Sequence, residues 1–524
     1  MDTKSKNRMA KVKTSNTILK GTILLTGAGL IVKLLGAAYR IPLARLIGAE
    51  GMGLYQMAYP VYLIFVSLST AGLPIAISKM VAEQTARKNI QGIKQVFKAA
   101  FILLTILGIA GSFTMLLTSS WLANRIVADS RAVFSMWALA PAIFFMSLMA
   151  VFRGYFQGQQ QMGPSALSQV VEQIVRVAVS LILATLLLKS GVEHASAGAA
   201  FGATAGGAAG LLFLILTNLQ KRKSLPESLP NNFPREKLWL VIKKLLRFTL
   251  PIAAAVIIMP LLQAVDSIIV PSKLQSIGYS VKAATSMLGI LGNAWAVLYL
   301  PTIVTGAIST NMVPAIAAHG NSGVKPELQA KIQQGIRLAT IYLVPVAVIL
   351  YLYGTTVYRI IYGIKGIEIL SWLAPAVFFL GIEQVTAGVL QGLNKPHVPL
   401  VNFIVGALVK VMVTLIATGM PGLNLAGAAL GTVCGSGFTA GLNLISIKRL
   451  TPIKLDFMAA SLVAGTFMLI GSWYLTRWFR FSDLVEFFGL GLAGALFYFL
   501  VLWILGGIRI TDLEVINQVV MDKN

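Results

Sequence analysis

An apolar segment of twenty residues occurs twice in this chain. Leu139 to Gly158 reads LAPAIFFMSLMAVFRGYFQG and Leu373 to Gly392 reads LAPAVFFLGIEQVTAGVLQG, with ten identities, no gap and a separation of 234 residues. Two shorter echoes, STAGLP with STNMVP and AGAAFG with AGAALG, recur at similar distances. We therefore interpret the chain as a tandem duplication. Doubled bundles of membrane helices are the architecture of many carriers, whose substrate site lies between the repeats near the bilayer midplane.

The composition places the duplicated segments in a membrane. Hydrophobic residues make up 56% of the 524 residues and charged residues 12%, and the mean hydropathy is +0.79, which excludes a water-soluble protein of this length. Apolar stretches of about 20 residues are long enough to cross the hydrocarbon layer. Fourteen such stretches are predicted at 20–46, 54–82, 96–120, 133–156, 163–188, 195–219, 245–271, 284–316, 336–355, 367–391, 398–419, 424–447, 456–478 and 484–507.

The spans and the repeat together predict the domain organisation. We expect an all-α integral membrane protein with 14 transmembrane helices in two pseudo-symmetric six-helix lobes, followed by two C-terminal helices. The first lobe covers 1–219 and begins with a basic cytoplasmic tail; the second covers 241–450, and the last two helices with a short tail cover 451–524. The connector at 220–240 includes QKRKSLPESLPNNFPREKL, whose three prolines and dense charge are typical of a linker between bundles.

Lysine and arginine indicate the orientation, because short cytoplasmic loops carry the excess of basic residues. The basic clusters lie at 4–13, 87–94, 221–244, 325–331, 395 and 448–454. The opposite side holds isolated charges such as Arg131, Lys189, Lys273, Lys282 and Arg359. Both termini are therefore predicted in the cytoplasm. Since each repeat has an even number of spans, the two lobes should insert with the same topology.

Several function classes are disfavoured by the same features. The net charge of +25 is spread over loops between spans, so we attribute it to lipid headgroups rather than to nucleic acid. Cys434 is the single cysteine and the three histidines, His194, His319 and His397, are scattered, so we expect neither a disulfide nor a metal site. No cofactor is expected.

Functional residues of a membrane carrier are sought among polar groups inside the spans, where an ionisable side chain costs several kcal/mol unless it faces a cavity or a partner. In the first half, Lys33 and Arg40 are seven residues apart and share a helical face, and Pro42 should bend that helix. Gln169, Glu172 and Arg176 form a stripe with Gln173, and the four-residue spacing of Glu172 and Arg176 permits an ion pair. Arg153 and Gln157 mark the cytoplasmic turn after the fourth span.

The second half differs from the first at informative positions. At the offset of 234 residues, Arg176 corresponds to Lys410, Glu172 to Gly406, Arg153 to Ala387 and Met149 to Glu383. Asp266 lies in the seventh span, where the loosely aligned first span has Arg40. In the eighth span, polar residues surround Pro301 and Pro314, which should open the helix and expose backbone carbonyls.

Structural readings of these charges stay open. Glu172 with Arg176 forms either a binding element or a purely architectural pair, and Arg153 and Lys410 either line a cavity or extend to the membrane surface. Lys33 and Arg40 have no acidic residue within a helical turn, which favours a cavity. A first lobe lined by Lys33, Arg40 and Arg176 prefers an anion, because arginine grips phosphate oxygens bidentately and lysine supplies a point charge. The pattern points to a phosphate-bearing, lipid-linked substrate.

Three motifs carry a resemblance to a known family. GAAYRIPLARLIGAEGMGLYQMAYP (Gly36 to Pro60), STAGLPIAISKMVAE (Ser69 to Glu83) and RGYFQGQQQMGPSALSQVVEQIVRV (Arg153 to Val177) resemble the stage V sporulation protein B and polysaccharide-biosynthesis branch of the multidrug/oligosaccharidyl-lipid/polysaccharide exporter superfamily. The chain is also similar to the MurJ-type lipid II flippases of that superfamily. The resemblance implies that an undecaprenyl-diphosphate-linked cell-wall precursor is turned between the leaflets of the bacterial cytoplasmic membrane by alternating access, and that the protein is a monomer.

The resemblance also implies roles for particular residues. The family's basic first-helix motif matches Lys33 followed by Leu34, Leu35 and Gly36, with lysine in place of arginine. In such proteins the two extra helices line a groove for the lipid tail; Phe457 to Trp478 and Val485 to Leu505 would be the counterparts.

The mechanism expected from both sources has the diphosphate bind Lys33, Arg40 and Arg176 while the prenyl tail stays in lipid, after which the lobes rock. Energy would come from the membrane potential or from Na⁺ or H⁺ at Glu172, Asp266 or Glu383.

A multidrug cation antiporter of the same superfamily is the alternative, disfavoured by the absence of an acidic residue in the first span. A glycan polymerase would need a carboxylate, metal or nucleophile cluster and a large loop, and a purely structural membrane protein would leave buried charges without purpose. The sequence does not select the glycan, nor a vegetative or a sporulation role.

Overall fold

The computed structural model describes residues 21, 24–70, 72–222, 236–318, 326–364, 367–478 and 486–507. The basic tail before residue 21, most of the connector, His319 and the C-terminal tail from residue 508 lie outside the described residues. Within the described residues the chain is helical and has no strand. The helices are α1 (24–38), α2 (Arg40–Thr70), α3 (Leu73–Ala86), α4 (Ile90–Trp121), α5 (Ala132–Gly158), α6 (Met162–Leu187), α7 (Val192–Arg222), α8 (Leu238–Ser276), α9 (Val281–Ala317), α10 (Pro326–Tyr362), α11 (Ile369–Gly392), α12 (His397–Ala417), α13 (Leu425–Leu450), α14 (Asp456–Trp478) and α15 (Gly491–Ile504).

The described part contains twelve helical segments that are long and apolar enough to cross a membrane, and a shorter apolar helix at Phe488–Ile504. The first segment, Leu24–Ala86, has 63 residues, which is enough for two crossings of about 20 residues each. Both of the first two predicted spans lie in it. The all-α membrane class is therefore confirmed, and fourteen stands as an approximate count.

A sharp kink at Gly48 divides this first segment. Gly48 has φ 69° and ψ −178° inside α2, a backbone conformation that residues with a Cβ rarely adopt. The bend expected from Pro42 is minor by comparison, because Leu43 still donates its backbone N–H to the carbonyl of Tyr39 at 3.1 Å. Pro42 sits in the first turn of α2, where a missing N–H costs little, so the glycine and not the proline sets the change of direction.

The eighth span also differs from expectation. Helix α9 runs without interruption from Val281 to Ala317 through Pro301 and Pro314, so the prediction that these prolines open the helix is wrong. A side-chain hydroxyl group near the first proline donates a hydrogen bond to the backbone: Thr302 Oγ1 donates to the carbonyl of Tyr299 at 2.8 Å. Such bonds satisfy backbone acceptors without unwinding the helix.

The chain packs as two compact units. One comprises residues 1–272 with 280–289, and the other comprises 273–279 with 290–524. The seventh span therefore packs mainly with the first unit, and α9 has its first residues in one unit and the rest in the other. The division into lobes at 1–219 and 241–450 follows the repeat in the sequence and stays a prediction.

The duplication is visible in how helices pack within each unit. A Cβ on Gly154 of α5 would lie 2.8 Å from the carbonyl oxygen of Pro74 in α3. The corresponding glycine of α11, Gly388, faces Ser309 of α9 in the same way. Pro74 ends the motif STAGLP and Ser309 begins the paired motif STNMVP, so the two glycines contact the paired motifs at different positions. The repeated glycines thus allow α5 and α11 each to approach a neighbouring helix closely, as small residues do in membrane bundles.

A second pair of contacts fixes the alignment of the repeats at the charged stripe. A Cβ on Gly202 would lie 2.6 Å from the carbonyl oxygen of Arg176, and a Cβ on Gly431 would lie 3.0 Å from that of Lys410. Gly202 and Gly431 end the paired motifs AGAAFG and AGAALG. Arg176 and Lys410 therefore occupy equivalent positions in the two units, as the offset of 234 residues predicts.

Candidate functional site

The candidate site of the first unit centres on a carboxylate held between two guanidinium groups. Glu172 Oε1 accepts a hydrogen bond from Arg176 Nη2 at 2.5 Å, one turn along α6. Glu172 Oε2 accepts a second one from Arg153 Nη2 of α5 at 2.9 Å. Arg153 Nε also donates to Ser168 Oγ at 3.0 Å. These bonds join α5 to α6 and hold three of the predicted site residues together.

The three side chains are nearly withdrawn from solvent. Their exposed fractions are 16% for Arg153, 10% for Glu172 and 14% for Arg176. Two cations against one anion leave this triad with a surplus positive charge, which is costly in a low-dielectric interior without a further anion. In addition, Arg176 Nε is buried and has no hydrogen-bond acceptor among the described residues. An unmet donor next to surplus positive charge is the chemistry of an anion site.

A ladder of tyrosines on α2 lies beside the triad. The rings of Tyr55 and Tyr59 stack with centroids 5.3 Å apart, and those of Tyr59 and Tyr62 are 5.7 Å apart. Tyr59 is within electrostatic range of both Arg40 and Arg176. These tyrosines were not predicted as site residues, although their spacing of four and three residues places them on one helical face.

The remaining first-half predictions occupy different surroundings. Arg40 is half-buried and, like Arg176, lies within electrostatic range of Tyr55 and Tyr59, whereas Lys33 of α1 is exposed. Helix α1 approaches the stripe at Gly36, where a Cβ would lie 3.4 Å from Gln173 Nε2. Gln169 is half-buried, three residues before Glu172 on α6. The structure thus groups Arg40 with the triad through the ladder, and gives Lys33 no ion pair within the described residues.

The two gate predictions lie in α5 itself. Arg153 is five residues before the end of the helix, and Gln157 is in its last turn, where its carbonyl accepts from the backbone N–H of Gln160 at 2.9 Å. The three residues between α5 and α6, 159–161, form the turn. Arg153 does not extend to a surface but turns toward Glu172.

In the second unit, Lys410 has an aromatic partner. Its Nζ lies 5.1 Å from the ring centroid of Trp295, a distance at which a cation is attracted by the face of the ring, and Trp295 stacks on Tyr299 at 5.3 Å. The position that holds an arginine and a carboxylate partner in the first unit thus holds a lysine and an indole in the second.

Glu383 is half-buried on α11, and its carboxylate has no ion pair or hydrogen bond in the described part of the chain. Its neighbour Gln384 accepts two hydrogen bonds. Gln384 Oε1 accepts one from Thr305 Oγ1, and the backbone carbonyl of Gln384 accepts one from Ser309 Oγ, both at 2.7 Å. Asp266 is buried in α8, and the next residue, Ser267, donates to the carbonyl of Gln56 in α2 at 2.8 Å. No group of three or more histidine, cysteine, aspartate or glutamate side chains gathers among the described residues in a way that could hold a metal.

A further ionic network in the first unit was missed by sequence reasoning. Arg131, just before α5, donates to Asp129 Oδ2 at 2.8 Å and to Glu50 at 2.5 Å, and Lys282 lies 3.5 Å from Glu50. Asp129, which is 2% exposed, also accepts from Thr285 Oγ1 at 2.7 Å. The hydrogen bonds to Asp129, and next those to Glu50, raise the pKa of Arg131 above its ordinary value although its partial burial opposes this. Arg131 and Lys282, which the sequence shows as isolated basic residues, are therefore paired.

The helical class and the apolar spans define a multi-pass membrane protein, and its similarity to a flippase makes it a transporter rather than an enzyme. The chain belongs to the family described as "Polysaccharide biosynthesis protein", which matches residues 18–319. It is 30% identical to stage V sporulation protein B of Bacillus subtilis (strain 168) over 87% of this chain and 88% of that protein. It is 26% identical to the lipid II flippase MurJ of the same organism over 90% of this chain and 91% of that one.

Solved structures with the same fold agree with this assignment. The lipid II flippase MurJ in an inward closed conformation aligns with a TM-score of 0.69 and 16% identity, over 94% of this chain and 99% of that one. An inward-facing multidrug resistance MATE family transporter of the MOP superfamily aligns with a TM-score of 0.62 and 19% identity, over 82% and 98%. The predicted fold is thereby confirmed, and the family match and the sequence relatives confirm the predicted polysaccharide-biosynthesis branch. At these sequence identities the solved structures establish the fold but not the substrate.

Proposed function

We propose that this protein is a flippase that moves a glycan linked to undecaprenyl diphosphate across the bacterial cytoplasmic membrane by alternating access. The lipid II flippase among its sequence relatives supports this substrate class. In this proposal both termini are cytoplasmic, the diphosphate enters from the cytoplasmic leaflet, and the prenyl tail remains in lipid. A transport assay with each substrate distinguishes a peptidoglycan precursor from a related lipid-linked oligosaccharide.

The surplus positive charge of the Arg153, Glu172 and Arg176 triad is the observation that carries the proposal. Glu172 neutralises one guanidinium, and the second cation with the unmet Arg176 Nε–H donor is available for an anion. A diphosphate supplies oxygen acceptors and negative charge together, and arginine binds such groups more specifically than lysine does. A cation substrate would instead require a net negative site.

The neighbouring groups have distinct roles in this proposal. Arg40 and Lys33 extend the positive surface along α1 and the start of α2, so that the anion meets charge on its way to Arg176. Tyr59 is the partly exposed member of the tyrosine ladder, and Tyr55 and Tyr62 are buried behind it. Its ring and hydroxyl suit the sugar portion of the substrate, because an aromatic side chain combines an apolar surface with a polar tip. Gln169 supplies an amide on the same face of α6, and Lys410 is the corresponding cation of the second unit.

Coupling is proposed at one of three carboxylates. Glu172 is already committed to two arginines, so a proton or Na⁺ there competes with the triad. Asp266 is buried in α8 beside the contact with α2. Glu383 has no ionic partner among the described residues, which makes it the group most available to a proton. Replacing Asp266 and Glu383 by their amides and measuring transport with imposed Na⁺, H⁺ or electrical gradients separates these two. Glu172→Gln is measured together with Arg153→Gln, which restores the net charge of the triad.

The direct test is complementation of a strain that lacks its lipid II flippase, with the precursor measured in the inner and outer leaflets. We expect the wild-type chain to rescue growth and to prevent accumulation in the inner leaflet. The double variant Lys33→Ala/Arg40→Ala should accumulate in the membrane as folded protein without rescuing. Arg45→Ala is the matched control, since it removes an exposed basic residue from the same segment. Rescue by the double variant would contradict this site assignment. Efflux of a lipophilic cation without precursor transport would show an antiporter instead of a flippase.

A further inference from the structure

A cavity in the first unit is lined by none of the three triad residues. It has a volume of about 810 Å³ and is formed by α3, the turn after it, the start of α4 and the start of α8. Four basic and two acidic side chains line it. The cavity therefore carries net positive charge, and neither the repeat nor the transport site accounts for it.

The basic residues of this cavity are incompletely neutralised by protein groups. Lys244 is paired with Glu236. Lys79 Nζ lies 4.6 Å above the ring of Phe248, a contact that leaves its charge in place. Arg87 and Lys237 form no ion pair within the described residues, and Glu83, one helical turn from both Lys79 and Arg87, pairs with neither.

The start of helix α4 adds to the positive potential. Asn89 caps the helix by accepting a hydrogen bond from the backbone N–H of Gly92 at 2.9 Å, and its amide donates to Gln84 Oε1 at 2.8 Å. All three residues line the cavity. The positive end of the helix macrodipole thus points into a space already lined by cations, which favours an anionic ligand.

The wall formed by α8 indicates where this anion comes from. Val241 and Leu245 are buried against α3, α4 and α5, while Trp239 is 67% exposed beside the lining residue Leu240. Basic residues alternate with this apolar surface at Lys243, Lys244 and Arg247. A basic amphipathic helix with an exposed tryptophan is typical of the membrane–water interface. This pattern favours a position for the cavity at the depth of the lipid headgroups.

We propose that this cavity binds the phosphate group of an anionic phospholipid, with Lys79, Arg87 and Lys237 as its ligands. The apolar lining at Leu240 and Phe248 contacts the start of the lipid's acyl region. The site is separate from the transport site, so it stands or falls independently of the flippase assignment. Inorganic phosphate shares the chemistry of the headgroup, and the experiment distinguishes the two sources.

The test measures phospholipid binding to the full-length protein in detergent by native mass spectrometry. The probes are dioctanoyl phosphatidylglycerol, dioctanoyl phosphatidylcholine and inorganic phosphate. Lys79→Gln/Arg87→Gln/Lys237→Gln removes three charges from the cavity. The matched control, Lys94→Gln/Lys98→Gln/Lys243→Gln, removes three exposed charges from α4 and α8 that do not line it. Arg87→Gln/Lys237→Gln keeps the Lys79 contact with Phe248, in case the triple variant unfolds.

We expect the triple variant to bind phosphatidylglycerol on the order of tenfold more weakly than wild type, the double variant to show a smaller loss, and the control to match wild type. Phosphatidylcholine should bind weakly and equally to all four proteins. Equal phosphatidylglycerol binding by the double variant and the control would overturn the proposal. Inorganic phosphate that binds as tightly as phosphatidylglycerol would overturn the assignment to a lipid.

Discussion

Arg153 Nη2 donates a hydrogen bond of 2.9 Å to Glu172 Oε2 across the interface of α5 and α6. This contact joins a residue of the repeated segment to the charged stripe, and the second repeat lacks both partners, since Ala387 and Gly406 take their places. The ionic triad is therefore a property of the first unit alone. Divergence between the two copies has placed a charged site on one half of a duplicated frame.

Glu172→Gln should be strongly destabilising. The variant leaves two buried guanidinium groups without a counter-ion, and removing one partner of a buried pair costs about 3–5 kcal/mol. Thermal unfolding of the purified protein in detergent measures the effect. The double variant Glu172→Gln/Arg153→Gln restores the triad's net charge, so it should recover much of the lost stability. Wild-type stability of the single variant would show that the carboxylate does not neutralise the arginines.

Tyr59→Phe should lower transport while leaving the fold intact. The variant keeps the stacked ring between Tyr55 and Tyr62 and loses only the hydroxyl, which lies within electrostatic range of Arg40 and Arg176. If that hydroxyl bonds a charged substrate, its loss costs about 1.5–3 kcal/mol, which lowers affinity on the order of 10- to 100-fold. Tyr59→Leu removes the ring as well and should be weaker still. Substrate titration in reconstituted vesicles gives both affinities, and an unchanged affinity in both variants would exclude the ladder from the site.

Gly431→Ala should destabilise the second unit by about 1–3 kcal/mol, the usual cost of overpacking. The added methyl group would overlap Thr414 Oγ1 and approach the carbonyl of Lys410. Gly441→Ala on the same helix is the control, because nothing lies within 4 Å of a Cβ there; that variant should be neutral or slightly more stable. Chemical denaturation of both proteins compares them, and an equal effect would contradict the close approach of α12 and α13.

Asp129→Asn should weaken the network around Arg131. The amide retains an acceptor for Thr285 but loses the charge that binds the guanidinium, and a hydrogen bond between charged groups contributes about 1.5–3 kcal/mol. Glu193→Gln serves as the control, since Glu193 is partly exposed and its one ion pair among the described residues is with His194, at 3.8 Å. That control should change stability by less than about 1 kcal/mol. A similar change in both variants, measured by thermal unfolding, would contradict a structural role for Asp129.

Contacts between residues close in the sequence could be predicted for this protein, whereas contacts between distant residues were harder to predict. The spans, the repeat and the pairing of Glu172 with Arg176 depend on periodicities of a few residues or on direct alignment, and the sequence displays them. The bond from Arg153 to Glu172 crosses 19 positions, although the three-residue turn between α5 and α6 places those helices side by side. The pairing of Glu50 with Arg131 crosses 81 positions and needs the tertiary fold.

Backbone shape was harder to predict than charge. Pro301 and Pro314 are accommodated within a continuous α9, whereas Gly48 produces the sharp kink of α2. A proline removes one donor and leaves the rest of the hydrogen-bond ladder intact, so a long helix can continue through it. Whether a glycine adopts a positive φ depends on the packing around it, so the sequence alone does not predict it. The tyrosine ladder was visible as a spacing, but its significance depends on the arginines that face it.

The central claim is that the surplus positive charge at Arg176 binds the diphosphate of a lipid-linked glycan. Its most direct measurement is translocation of a fluorescent undecaprenyl-diphosphate-linked disaccharide by the full chain in reconstituted vesicles, compared for wild type, Arg176→Lys and Arg176→Gln. We expect Arg176→Gln to lose transport, and Arg176→Lys to retain a reduced rate because it keeps the charge without the bidentate fork. Wild-type rates in a folded Arg176→Gln variant would contradict the claim.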